Sequence, residues 1–299
     1  MAKKILIKSI RFLIILVFLA LVYPVGYFVL DTDPAVKGKD LSSSINRHQG
    51  GAIAYIINLD RSKERYAYVK PNVDLLGIPV ERISAVEGKA LSDAEINVAV
   101  DMQTYREFLS HFPKKGTIGC SLSHIKAWKA FLESPFEYAV VFEDDVNFDP
   151  PKLRTVINDL TKNGKEWDIS SFEISHSGTP LTIKTFQDGQ KLVVYLTEIS
   201  HTGAYILNRD AAVKLLEKAL PIKMPIDHYM TRGWEFGLKF TGIENPRLVH
   251  QQYGTSEINQ TNHLLGSDDN VFSVVKKCLY KLQSYIIRFF YNLKCYVES

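Results

Sequence analysis

Tyr138-Ala139-Val140-Val141-Phe142-Glu143-Asp144-Asp145 is an apolar run that ends in three acids. A buried strand does not ordinarily finish in three adjacent carboxylates, because like charges repel and desolvation is costly. A divalent cation at the strand end removes both difficulties. Mg²⁺ and Mn²⁺ favour carboxylate oxygens and are often shared with phosphates. The stretch therefore points to a metal-assisted enzyme that handles a phosphorylated donor.

Working outward, the residues on either side read as an α/β protein. Ala52 to Leu59 is a mostly apolar run rich in β-branched residues, the pattern of a buried first strand. Asn58, Asp60, Arg61 and Ser62 open a loop and a helix running through Lys70, with Asp60 or Ser62 as its cap. Val80 to Ser84 reads as a second strand, and Leu91 to Ser110 as one or more helices. Thr117 to Leu132 is helical by the spacing of Ile118, Leu122, Ile125, Trp128 and Leu132. Strand, helix, strand, helices, strand is the rhythm of an α/β sheet. Further on, a helix at Leu153–Leu160, a strand at Asp168–Ile174 and a hairpin turning at Asp188-Gly189 are expected. A strand at Gly203–Leu207 and a helix at Asp210–Ala219 follow.

The chain has 299 residues, of which 46% are hydrophobic, enough for a sizeable core. Its net charge of +3, with no long basic tract, argues against a nucleic-acid partner. Cys120, Cys278 and Cys295 are widely spread and form no metal-binding pattern, so no disulfide is assigned.

Both ends differ from the middle. Phe12–Leu30 is an uncharged apolar run of bilayer-spanning length behind a basic flank, residues 1–11, that carries Lys3, Lys4, Lys8 and Arg11. It reads as an uncleaved single-pass anchor, with a cleaved signal peptide as the rival. Residues 31–50 are polar and read as a stem, and residues 51–265 as one catalytic domain. From residue 272 to 299, Val275, Leu279, Leu282, Ile286, Phe289 and Leu293 fall at helical spacing among Lys276, Lys277, Lys281, Arg288 and Lys294. Such a basic amphipathic helix can lie on anionic membrane lipid, or dock on the domain.

Three segments, AYIINLDRSKER (54–65), GTIGCSLSHIKAW (116–128) and VVFEDDV (140–146), together resemble glycosyltransferase family 25. That group contains bacterial lipooligosaccharide galactosyltransferases and animal collagen galactosyltransferases. YILNRDAAVKLL, PIDHYM and HQQYGTSEI look like further parts of the same pattern, so the resemblance runs from Ala52 to Ile258. It implies a GT-A-like nucleotide-sugar-binding fold with a mostly parallel central sheet. It also implies a UDP-sugar donor, commonly UDP-galactose, an inverting reaction, and a glycan hydroxyl as acceptor, as in lipopolysaccharide biosynthesis.

On that basis Glu143 and Asp145 are expected to hold Mn²⁺ or Mg²⁺, with Asp144 assisting or binding ribose. In an extended stretch Glu143 and Asp145 point to one side and Asp144 to the other. Asn58, Asp60, Arg61 and Arg65 follow the first strand, where nucleotide contacts belong. Arg61 and Arg65, four apart, can share a helix face and pair with phosphate. The alternative is surface ion pairing. Ser121 and His124 begin a helix after Gly116 and Gly119, and small residues there allow close approach to phosphate. His124 is alternatively a hydrogen-bonded core histidine.

Inversion needs a base for the acceptor hydroxyl. Asp227 in Pro225-Ile226-Asp227-His228 is the first candidate, against a role in capping a helix that starts at His228; Glu173 and Asp168 are reserves. The habits of GT-A enzymes add His250 as a metal or diphosphate ligand. Trp234, Tyr229 and Tyr253 are aromatic candidates for stacking on the acceptor sugar.

The basic flank predicts a cytoplasmic N-terminus, while donor supply would place the catalytic domain on the cytoplasmic face of a bacterial inner membrane or in a eukaryotic lumen. The side, the oligomeric state and the donor sugar stay open. Transfer of another sugar, a hydroxylysine acceptor, a metal-dependent phosphodiesterase and an inactive carbohydrate-binding protein are the competing readings.

Overall fold

AIAYIIN has no charge and alternates bulk on two sides. It forms β1 (Ala52–Asn58), buried at every position. The structure is a computed structural model that describes residues 50–109, 111–173, 175–176, 178–244, 247–251 and 271–299, with backbone alone at 175–176 and 271–276. The expected anchor at 12–30, the stem as far as residue 49, and Tyr253 lie outside the described residues. Among the described residues no helix is long and apolar enough to cross a membrane.

After β1 come α1 (Lys63–Asp74), β2 (Val80–Ser84), a 3₁₀ turn at Gly88–Ala90, α2 (Asp93–Ala99), α3 (Met102–Leu109) and α4 (Lys115–Glu133). The acidic stretch follows as β3 (Tyr138–Glu143), a turn, and β4 (Val146–Phe148). Then come α5 (Pro150–Lys162), β5 (Ile169–Ser171), β6 (Ser175–His176), β7 (Pro180–Thr185), β8 (Lys191–Tyr195), β9 (Ile199–Ser200) and β10 (Ala204–Asn208). The chain closes with α6 (Arg209–Lys218), α7 (Ile226–Met230), α8 (Gly233–Phe236), β11 (Phe240–Glu244), β12 (Val249–Gln251) and α9 (Val271–Val297).

Eight strands form one sheet in the order β2-β1-β3-β10-β5-β11-β8-β7. Six of them run one way, and β10 and β8 run against them. The expected α/β architecture with a mostly parallel sheet is therefore present. The hairpin β7–β8 turns at Asp188-Gly189, with Gly189 at φ 87°.

Period-two alternation splits the sheet between two apolar layers. Tyr55, Ile57, Val141, Tyr205 and Leu207 face Ile125, Trp128 and Phe131 of α4 and Leu215 of α6. Ala54, Ile56, Val140, Phe142 and Ile206 face Val69 and Val73 of α1 and Leu153, Val156 and Leu160 of α5. The sheet is covered on both sides, as a largely parallel sheet requires.

The NRD of YILNRDAAVKLL works as structural chemistry. Asn208 caps α6 by accepting from Ala211 N at 2.8 Å. Arg209 donates to the carbonyls of Phe131, Leu132, Ser134 and Phe136, closing the C-terminal end of α4 with a cation.

Two local expectations change. The first helix begins at Lys63, so Arg61 lies in the preceding turn and shares no helix face with Arg65. Ser62 takes the N-cap position without a side-chain cap bond, and Asp60 instead accepts from Arg82 and Ser84. Gly119 makes room for the chain itself: a Cβ there would lie 2.6 Å from Val86 O and 2.7 Å from Gly88 N. Gly119→Ala should therefore destabilise the fold by about 1–3 kcal/mol, the usual cost of overpacking. Urea unfolding checks this, and an unchanged midpoint would show that the 3₁₀ turn yields freely.

Candidate functional site

Because β10 is antiparallel to β3, with Ala204 opposite Phe142, the residues entering β10 lie beside the end of β3. Those residues are His201, Thr202 and Gly203. β5 runs the same way as β3, so Glu173, just past its end, arrives at the same edge. Asn58 ends β1 there too. The topology thus gathers the acids of the triplet with Glu173 and, through α7, Asp227.

The 201–203 turn links them. Thr202 Oγ1 donates to Glu143 Oε1 at 2.9 Å, and Glu143 N donates to Gly203 O at 2.8 Å. The His201 ring lies 2.9 Å from Glu173 Oε1, and its backbone N–H donates to Asp227 Oδ2 at 3.3 Å. Gly203 N–H donates to Glu173 Oε2 at 3.4 Å. A Cβ at Gly203 would sit 3.1 Å from that same oxygen, so only glycine fits without pushing the carboxylate. His201 has φ 82°, the one non-glycine residue with positive φ among the described residues. Such strain persists only where the surroundings impose it, and it clusters at functional sites. The hydrogen bond that the His201 ring donates to Glu173 outweighs burial and raises the His201 pKa above 6.5.

The acidic triplet does not alternate as an extended strand would. β3 ends at Glu143, and Asp144 and Asp145 occupy the turn. Arg65 reaches both, at 2.5 Å from Asp144 Oδ1 and 2.8 Å from Asp145 Oδ2. Asn58 donates to Asp144 Oδ2 at 2.6 Å while its own carbonyl accepts from Arg82. Glu143 turns to Thr202, His124 and Gln251.

Burial, followed by the charge of Glu143, pushes Asp145 up to about 7. Burial opposes ionisation of Glu143 as well, but hydrogen bonds from His124 and Thr202 and the charge of Arg65 hold its carboxyl below the usual value. Asp145 Oδ1 and Arg65 Nε are buried and have no hydrogen-bond partner among the described residues. Asp145 thus keeps one buried carboxylate oxygen without a partner, an atom of the kind that accepts a cation or a proton.

Beneath Glu143 runs a buried chain of polar groups. Trp128 Nε1–H donates to Tyr205 Oη at 2.8 Å, and Tyr205 lies 2.9 Å from His124 Nδ1. Indole is donor only, so the assignment that gives every proton an acceptor passes the Tyr205 proton to Nδ1. That leaves Nε2–H of His124 facing Glu143 Oε1 at 3.4 Å. Cys120, His124 and Glu143 also bring one potential ligand atom each within 4.8 Å of one another. Burial first, and then Glu143, raise the Cys120 thiol well above its ordinary value, so it stands as a neutral thiol that suits Mn²⁺ or Mg²⁺ poorly.

Other expected site residues have partners of their own. Arg61 pairs with Glu87 at 3.0 Å. Asp60 is engaged by Arg82 and Ser84. Ser121 is buried and donates back to Thr117 O. His250 is exposed on β12, and the next residue, Gln251, makes the contact with Glu143. Asp168 holds Asn208 and Lys239 N, away from the turn. Tyr229 is buried, donating to Leu215 O, and Trp234 lies against the guanidinium groups of Arg232 and Arg288. Buried Tyr229 presents no free face for sugar stacking, and half-buried Trp234 carries the two guanidinium groups on its ring. Asp227 falls inside α7, whose N-cap is Pro225, and its Oδ1 accepts from His228 N at 2.8 Å. The sequence reading missed His201, Thr202 and Gln251. A polar pair directly before a strand that begins Gly-Ala was the one signal for the first two.

Asp145 supplies a pH test. Its folded pKa of about 7 exceeds the ordinary 3.8, so between those values the folded state binds more protons than the unfolded. Stability from this group therefore falls as pH rises through that window. In chelator, Asp145→Asn should raise the melting temperature more at pH 8 than at pH 5, and an equal or opposite change would contradict the upward shift that burial imposes. Tyr205→Phe leaves the Trp128 N–H and His124 Nδ1 unpartnered and should cost about 1–3 kcal/mol. Histidine ¹⁵N shifts should show the Nε2–H tautomer of His124 in the parent and a mixture in this variant.

The profile described as "Glycosyltransferase family 25 (LPS biosynthesis protein)" matches residues 52–230, more than half of the chain. A protein named Glycosyltransferase 25 family member from Anopheles gambiae is 31% identical over 184 residues, covering 59% of this chain and 30% of that protein. Procollagen galactosyltransferase 2 from Mus musculus is 29% identical over 187 residues, covering 59% of this chain and 29% of that protein. The chain thus spans under a third of the length of these relatives. The crystal structure of a glycosyltransferase involved in the glycosylation of the major capsid of PBCV-1 is 11% identical, covering 69% of this chain and 94% of its own. Its TM-score of 0.37 is too low to carry an argument. The profile match takes in β1, the acidic turn, the 201–203 turn and Asp227 in one span, and on that extent the chain belongs to glycosyltransferase family 25.

Proposed function

We propose that this chain is an inverting glycosyltransferase of GT-A-like fold that moves a sugar, galactose first among the candidates, from a UDP-sugar to a hydroxyl of a cell-surface glycan. The observation that carries this reading is the 201–203 turn, which joins Glu143 of the acidic triplet to Glu173 and Asp227. Groups suited to a donor diphosphate and groups suited to deprotonating an acceptor then share one sheet edge.

Glu143 and Asp145, with Asp144, would hold Mn²⁺ or Mg²⁺, which when bound neutralises the charge growing on the departing diphosphate. Arg65 already lies between Asp144 and Asp145, and its buried, unpartnered Nε supports a contact with a phosphate oxygen. Asp227 accepts the proton of the acceptor hydroxyl as that oxygen attacks the anomeric carbon and the bond to UDP breaks. Asp227 is preferred to Glu173 on engagement. Glu173 is buried, with one oxygen on the His201 ring and the other on Gly203 N–H. Asp227 is half-buried and accepts from two backbone N–H groups, leaving lone pairs free. Glu173 then serves as a positioning residue that holds His201. A protein hydroxyl as acceptor is the second reading, favoured by the relative named a procollagen galactosyltransferase.

The test measures UDP release by the full chain from a panel of UDP-sugars, with Mn²⁺ or chelator. Acceptors are a glycan extract, a hydroxylysine peptide, or none. Acceptor-stimulated, metal-dependent release from one donor is expected, and the acceptor that stimulates decides between the two readings. Asp227→Asn should lower kcat by about 10²–10⁴-fold with donor KM little changed. Equal, metal-independent release by the parent and Asp145→Asn would contradict the proposal.

A further inference from the structure

The helix α9 docks in an inverted sense. Its domain-facing side is polar: Arg288, Asn292 and Cys295 are buried, and Asn292 Nδ2 donates to Tyr195 O at 2.6 Å. Tyr291 donates to Leu238 O, Tyr285 donates to Glu198, and Arg288 packs on Trp234. Tyr280 stacks on Phe108 with ring centroids 4.3 Å apart. These contacts fix the rotation of the helix about its axis.

The opposite side is apolar and open. Leu279, Leu282, Ile286, Phe289, Phe290 and Leu293 recur at helical spacing, a stripe about 21 Å long at 1.5 Å per residue. Phe290 is 57% exposed and Leu282 42%. Soluble surfaces rarely leave such a continuous stripe in water without a use for it.

We propose that this stripe lies in the interface of an anionic bilayer, with α9 parallel to the membrane plane. Charge selects this occupant. By helical spacing Lys276 and Lys294 fall beside the stripe while Lys277 and Lys281 share the side of buried Arg288, and the single acid from residue 271 onward is Glu298. Two copies packed stripe to stripe would bring like charges together, whereas anionic headgroups attract them. Aromatic rings such as Phe289 and Phe290 suit the boundary between headgroups and acyl chains. The apolar run Phe12–Leu30 behind its basic flank is an independent sequence reason to expect a bilayer near this chain. The proposal does not depend on the reaction assigned above.

The experiment uses the full chain in a Cys278→Ser background, with a nitroxide placed by Leu282→Cys or Phe290→Cys on the stripe and by Ser284→Cys toward the domain. Power saturation is measured with oxygen and with a water-soluble nickel chelate. Samples are vesicles of phosphatidylcholine with phosphatidylglycerol, and detergent solution. In the anionic vesicles both stripe labels should favour oxygen over nickel, and the Ser284→Cys label should not. Rising salt should weaken the effect. A Phe289→Glu/Phe290→Glu variant changes only solvent-facing positions, so it should keep its melting temperature while the Leu282→Cys label returns to nickel access. Nickel access to the stripe in anionic vesicles would overturn the proposal. Protection from both reagents in detergent and vesicles alike would also overturn it, because the stripe would then be covered by protein, either a second copy or the N-terminal segment.

Discussion

Five carboxylates, Glu143, Asp144, Asp145, Glu173 and Asp227, repel one another at one end of a sheet, and much of the surrounding structure answers that repulsion. Arg65 spans two of them, and Asn58 ties Asp144 to the end of β1. Thr202, His201 and the backbone of Gly203 hold the others apart at hydrogen-bonding range. The neutralisation is incomplete, since one guanidinium faces two acids and Asp145 keeps an orphaned oxygen. That residual deficit of positive charge would be costly in a purely structural cluster.

The site depends on strand direction as much as on residue type. β10 is the antiparallel member between β3 and β5, so its N-terminal approach meets the C-terminal ends of both neighbours. A parallel strand in that place would put residues 201–203 at the opposite edge. The layer below is equally specific. The chain from Trp128 through Tyr205 and His124 reaches Glu143 within the core, and it fixes the last strand residue through buried hydrogen bonds that water cannot replace.

Much of the architecture was legible in the sequence because local pattern and tertiary role agree. β1, β3 and α4 bury mainly apolar residues, with Asn58, Ser121, Ser123 and His124 as buried polar exceptions, and the turn at Asp188-Gly189 has the chemistry its conformation needs. The acidic triplet was legible because its charge contradicts its surroundings. The linkage through His201 and Thr202 was not, since it follows from strand order, which no spacing along the chain encodes. The partners of Arg61 and Asp60 were not legible for a related reason: the turn before α1 sends them to Glu87, Arg82 and Ser84, more than twenty residues away. Gly119 was read as room for a phosphate and makes room instead for Val86 and Gly88 of the same chain. For the C-terminal helix, sequence periodicity located the apolar stripe but could not say which side meets the domain.

If Glu143 and Asp145 hold the proposed cation, the 201–203 turn stands beside it, because Thr202 donates to Glu143. The most direct measurement is paramagnetic broadening of the His201 ring signals in the full chain, titrated with Mn²⁺ in the presence of UDP, with Mg²⁺ as the diamagnetic control. Selective broadening of His201 and of His124 is expected at low Mn²⁺, with half-buried His111 spared, and the effect should be lost in Asp145→Ala. Saturable Mn²⁺ binding that leaves His201 sharp, or broadening that survives Asp145→Ala unchanged, would contradict it.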